Sequence, residues 1–187
     1  MRSLRSLAPA VAALAVFAFV AAPAGHAQQA GPTISASVTL VESAQEAGPV
    51  QRATKDLESD FTKVFGRAPR LVNDLKDAGP TAILIAQREN VPAGVDCATT
   101  TNTEAFAFSI AGAGVGPTHR HVVCLTGADM RGAIYAIYQF SQSVLGVDPM
   151  YLWTDKQPEK RVAITLPKDF TRTYPSPVFK YRGFFSE

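Results

Sequence analysis

Six successive residues, Thr81-Ala82-Ile83-Leu84-Ile85-Ala86, form a continuous apolar run of strand length. Alternate side chains of a strand point to opposite sides of a sheet, so a run without polar alternation fits a strand buried on both faces. Such a strand needs cover above and below, which places it inside a layered domain. The rest of the chain supplies candidate layers. Ile34, Ala36, Val38 and Leu40 alternate with Ser35, Ser37, Thr39 and Val41, which predicts one strand of period two. Gly48-Pro49 opens a helix, since Pro is tolerated at the first helical position. Val50, Ala53, Leu57, Phe61 and Val64 fall on one side of it, Gly66 closes it and Pro69 enforces the stop. Leu57 and Phe61 are expected core anchors.

A short strand is expected over 70–72, turns over 73–80 and a loop over 87–103, which contains Pro92 and Gly94. Residues 104–111 read as a strand with Phe106, Phe108 and Ile110 on one side, broken by Gly112, Gly114, Gly116 and Pro117. Val122-Val123-Cys124-Leu125 is the next strand. Gly127 makes a turn and Asp129 caps a helix lined by Met130, Ala133, Ile134, Ile137, Ser141 and Val144. Tyr138 and Leu145 widen that stripe, as for a helix lying flat on a sheet, and Gly146 stops it. Short strands are expected from Tyr151-Leu152-Trp153 and over 162–166. The fold class is α/β, with α+β as the alternative: a small mixed sheet with helices packed on it.

Residues 1–27 read as an export leader. Arg2 and Arg5 precede an apolar stretch, and Ala24-Gly25-His26-Ala27 places small residues where a signal peptidase cuts. The apolar stretch is short for a membrane span, so a secreted or periplasmic product with no membrane segment after leader removal is expected. Two of the 18 Lys and Arg and none of the 16 Asp and Glu lie in the leader, which leaves 16 of each and a formal charge of zero. Bulk charge therefore offers no nucleic-acid surface. An exported chain with Cys97 and Cys124 allows one disulfide, with two free thiols as the alternative.

Candidate chemistry is sparse. The turn Thr126-Gly127-Ala128-Asp129 joins strand to helix, where backbone N–H groups can bind an anion, but it lacks a dinucleotide or P-loop fingerprint. The glycines of 112–116 read as a flexible loop. Arg131 stands at the positive end of its helix, where the dipole disfavours it, so a carboxylate or carbonyl partner is expected elsewhere in the fold. His119 and His121 share a side but have no third ligand in sequence, and Cys124 lies inside a strand. No metal, cofactor or catalytic residue is assigned. Tyr151, Trp153, Tyr174, Phe179, Tyr181, Phe184 and Phe185 bias the C-terminal third toward aromatic rings, suited to sugar stacking or to an interface. The last eight residues read as a strand ending in Glu187, so the chain is expected to be the front end of something larger.

Residues 122–146, VVCLTGADMRGAIYAIYQFSQSVLG, resemble the N-terminal domain of glycoside hydrolase family 115. The likeness rests on Asp129-Met130-Arg131-Gly132-Ala133-Ile134-Tyr135, then Pro149-Met150-Tyr151-Leu152-Trp153, then Phe179-Lys180-Tyr181-Arg182-Gly183-Phe184-Phe185, which is similar to the family's first barrel strand. The resemblance implies a leader (1–27), an accessory α/β domain (28–170), and a linker with the first strand of a (β/α)8 catalytic barrel (171–187). It also implies an α-1,2-glucuronidase that removes glucuronic or 4-O-methylglucuronic acid from xylan by inverting hydrolysis. The catalytic carboxylates would lie in the barrel. Glu187 would approach the sugar pocket there, the partners would be that barrel and glucuronoxylan, and this chain alone would be inactive. A carbohydrate-binding or docking module without hydrolase activity is the alternative.

Overall fold

The computed structural model describes residues 30–111 and 121–179. The fold is mixed α/β, a small mixed sheet with helices packed on it. In chain order the elements are β1 (Ala30–Ser35), β2 (Thr39–Glu42), α1 (Gly48–Phe65), β3 (Arg70–Val72), β4 (Thr81–Gln87), β5 (Phe106–Ala111), β6 (His121–Gly127), α2 (Met130–Phe140), a π-turn (Ser141–Leu145), the single helical turn α3 (Tyr151–Thr154), β7 (Ala163–Pro167) and β8 (Arg172–Tyr174). The main sheet runs β3-β2-β4-β6-β5-β8. Its first four strands are parallel, while β5 is antiparallel to both β6 and β8. β1 and β7 form a separate antiparallel ribbon.

β4 is buried on both faces from Ala82 to Ala86, as its apolar composition predicts. It sits between β2 and β6, with Ile83 opposite Leu40 on one side and Val123 on the other. Ile83 and Ile85 face the helices, in one cluster with Leu57 and Phe61 of α1 and Ala133, Ile137 and Phe140 of α2. Ala82 and Leu84 face the opposite way and join Val41, Val122 and Cys124. The α-helices cover only the first face. Short connections cover the second: the 3-10 turn Leu75–Asp77 with Ala78 between β3 and β4, and the loop bearing Val95 between β4 and β5. The latter loop is fastened to the sheet by the Cys97–Cys124 disulfide. Ser109 Oγ accepts from Ala98 N at 2.9 Å, and Thr126 Oγ1 donates to Ala98 O, so both backbone groups of Ala98 are held by the sheet.

Several elements differ from the sequence reading. The strand expected over 34–41 is two strands in two sheets. A tight turn, with Val38 N donating to Ser35 O at 3.1 Å, breaks it at Ala36-Ser37, yet Ile34, Val38 and Leu40 still reach one core. Tyr151-Leu152-Trp153 is helical, closed by Trp153 N to Met150 O, and not a strand. Arg172–Tyr174, expected in a linker, is an edge strand of the main sheet, and Tyr174 stacks on Phe106 with ring centroids 4.4 Å apart. α2 passes directly into the π-turn, where Ser141 Oγ donates to Asp60 of α1. The expected leader, the glycine loop with His119, and the segment with Tyr181, Phe184, Phe185 and Glu187 lie outside the described residues. Among the described residues no helix is long and apolar enough to cross a membrane.

Candidate functional site

The turn after β6 is a knot of polar contacts. Asp129 has extended backbone and caps α2, its Oδ1 accepting from Gly132 N at 2.9 Å. Its Oδ2 accepts from Glu104 N at 2.8 Å. One carboxylate therefore ties the helix start to the loop that enters β5. Arg131 Nη1 donates to Glu104 Oε1 at 2.8 Å, which supplies the carboxylate partner its unfavourable place on the dipole demanded. Glu104 is buried and holds φ at +62°, a left-handed conformation that non-glycine residues seldom adopt. Ala128 N donates to Ala105 O at 2.9 Å and completes the junction. The helix start is thus occupied by the chain's own carboxylate, and the anion role considered for residues 126–129 has no room here. Beside the knot lies a groove of about 550 Å³ lined by residues 101–104 and 176–179, closed at one point by Ser176 Oγ donating to Thr103 O at 2.6 Å.

A second polar cluster marks the C-terminal ends of β2 and β4. The chain leaves these neighbouring strands in opposite directions, which in open α/β sheets opens a crevice where ligands bind. Here the crevice is filled by Glu46. Its Oε1 accepts from Gln87 N at 3.1 Å and Asn90 Nδ2 at 2.9 Å, and its Oε2 accepts from Gln87 Nε2 at 2.9 Å. Glu42, also buried, accepts from the Thr54 hydroxyl. Burial pushes the Glu42 carboxyl above its ordinary value of 4.5, with the nearby Glu46 and Glu58 charges adding to the rise and the Thr54 hydrogen bond opposing it.

A carboxyl whose pKa is raised on folding stabilises the fold fully below its unfolded pKa and loses that contribution as pH climbs through the folded one. Stability is therefore expected to fall from pH 4.5 upward relative to Glu42→Gln. Urea midpoints of both proteins between pH 4 and about 8 check this. Parallel curves would refute it.

The other residues singled out in the sequence are dispersed. Cys97 and Cys124 are joined. His121 is exposed at the start of β6. Trp153 is 75% exposed and Phe179 72%, whereas Tyr151 lies half-buried under Lys63, whose Nζ is 4.7 Å from the ring centre. Among the described residues no three His, Cys, Asp or Glu side chains gather to hold a metal ion. Sequence reasoning missed Glu42, Glu46, Asp60 and Glu104. The one signal available was a charge set in an apolar pattern: Glu42 is the last residue of β2, and Asp60 lies on the buried stripe of α1.

No protein-family model matches the chain, and no curated protein matches it. Among solved structures, a family GH115 4-O-methyl-α-glucuronidase with specificity for decorated arabinogalactans superposes on 75% of this chain, with a TM-score of 0.60 and 22% identity. The chain has the fold of a glycosidase segment. It spans 18% of that enzyme, and at this identity the likeness is one of fold. A GH138 enzyme targeting pectin rhamnogalacturonan II matches 57% of this chain and 14% of its own, at 22% identity with a TM-score of 0.36, which is too loose to carry an argument.

Proposed function

We propose that this chain is a non-catalytic accessory domain of an exported glycoside hydrolase of the GH115 type. The whole enzyme would remove glucuronic or 4-O-methylglucuronic acid from xylan, through a (β/α)8 barrel that the residues following β8 lead into and whose pocket Glu187 approaches. The observation that carries the reading is the shared fold with a segment making up less than a fifth of such an enzyme. The disposition of carboxylates supports it. Inverting hydrolysis needs one acid to protonate the leaving oxygen and one base to activate water across the sugar. Yet Glu42, Glu46, Asp60, Glu104 and Asp129 all accept hydrogen bonds from the protein's own donors, in three separate places. The disulfide supports an oxidising destination, secreted or periplasmic, in keeping with the export leader expected from residues 1–27.

The purified chain is expected to release no uronic acid from glucuronoxylan above a buffer blank. Release at enzyme-like rates would overturn the proposal. A second reading, a carbohydrate-binding module, is favoured by the exposed rings of Trp153 and Phe179. Affinity electrophoresis in xylan gels separates the two: retention abolished by Trp153→Ala supports binding through that ring, and free migration supports a bracing role.

A further inference from the structure

A cleft of about 310 Å³ opens at the N-terminal end of the parallel strands, lined by Ala36, Ser37, Val38, Arg67, Pro69 and Arg70. It has two guanidinium groups and no acidic residue in its lining. Arg67 Nη2 donates to Ala36 O at 3.3 Å and Arg70 Nη2 to Asp77 O, both neutral backbone acceptors. Neither is among the ion pairs of the described residues: Lys63, Lys76, Arg131, Lys156 and Arg161 take those carboxylates. The negative end of α1 lies next to this cleft, and two of its last carbonyls are already engaged. Thr62 O accepts from Gly66 N and Val64 O from Arg161 N, each at 2.9 Å. Pro69 sits between the two arginines and restricts the backbone that carries them. The Ser37 hydroxyl, 2.9 Å from Ser35 Oγ, adds a polar group at the rim.

Guanidinium forks bind planar oxyanions in a bidentate way that a point charge cannot. The cleft is larger than an inorganic oxyanion requires and open to solvent, so it suits a charged unit carried on a chain. We infer that the Arg67–Arg70 cleft binds the carboxylate of a uronic-acid unit, giving the domain its own hold on acidic polysaccharide away from any catalytic pocket. The uronate identity of the ligand rests on the proposed function; the oxyanion character does not.

The test titrates the full chain with sodium D-glucuronate, D-xylose or inorganic phosphate and follows amide shifts by NMR. Saturable shifts at Ser37, Arg67 and Arg70 with glucuronate, none with xylose, and a loss of at least about tenfold in affinity in the double variant Arg67→Ala/Arg70→Ala are expected. Both arginines are exposed, so the variant is expected to melt with the wild type. Arg67→Lys/Arg70→Lys, which keeps the charge and removes the fork, is expected to bind more weakly than wild type and more tightly than the Ala variant. Phosphate binding with glucuronate silent would overturn the sugar-acid assignment. No saturable shift with either anion, or equal shifts with xylose, would overturn the site. Either failure leaves the non-catalytic reading standing, because uronic-acid release tests that separately.

Discussion

Gly132→Ala and Gly127→Ala are each expected to destabilise the domain by about 3 kcal/mol, the upper range for forcing atoms into a packed site. A Cβ on Gly132 would overlap Ala105 O, and one on Gly127 would overlap Ala133 N. Both obstacles are backbone atoms. Neither can rotate away, and Ala105 O is held in place by Ala128 N at 2.9 Å. Relief would require α2 to lift from the end of β6. That shift would stretch the bonds from Asp129 to Gly132 N and Glu104 N, and would part Arg131 from a buried carboxylate. Gly48 is the control. It has open space where a Cβ would go, so Gly48→Ala is expected within about 0.5 kcal/mol of wild type. Urea unfolding midpoints decide the matter. A Gly132→Ala protein as stable as Gly48→Ala would show that α2 is not seated as described.

This junction also shows what could be read from the sequence. Asp129 was legible as a cap because its partner, Gly132 N, lies three residues away. The electrostatic awkwardness of Arg131 was legible too, since it depends only on position along a helix. Its partner was not, because Glu104 lies 27 residues earlier in a loop whose course follows from tertiary packing. The same distance problem hid Glu46, whose three donors are 41 to 44 residues away. β4 was legible on both faces because a continuous apolar run of strand length fits burial above and below. β8 was not: three residues between prolines look like a linker until Tyr174 is seen on Phe106. The break between β1 and β2 was hidden because the turn preserves the phase of Ile34, Val38 and Leu40, so alternation alone cannot reveal it.

Reduction of the disulfide, or Cys97→Ser with Cys124→Ala, is expected to cost about 3.5 kcal/mol. The figure follows from the chain entropy released when a cross-link spanning 27 residues is opened. The structural consequence is larger here than in a sheet covered by helices on both sides. The second face of this sheet is sealed by loops and a single 3-10 turn, with no α-helix to hold them down. Without the cross-link, the loop bearing Val95 is held chiefly by the bonds of Ser109 and Thr126 to Ala98. Ala82, Leu84 and Val122 beneath would then be exposed whenever the loop opens. Domains of this size are stable by only about 5–15 kcal/mol, so the loss is a large fraction of the total. The reduced protein is expected to unfold at lower urea concentration. Its amides in β4 and β6 should exchange faster, and it should bind a hydrophobic dye that the oxidised protein excludes. Equal midpoints with and without reductant, under conditions where free thiols are confirmed, would show that the loop holds the second face closed by itself.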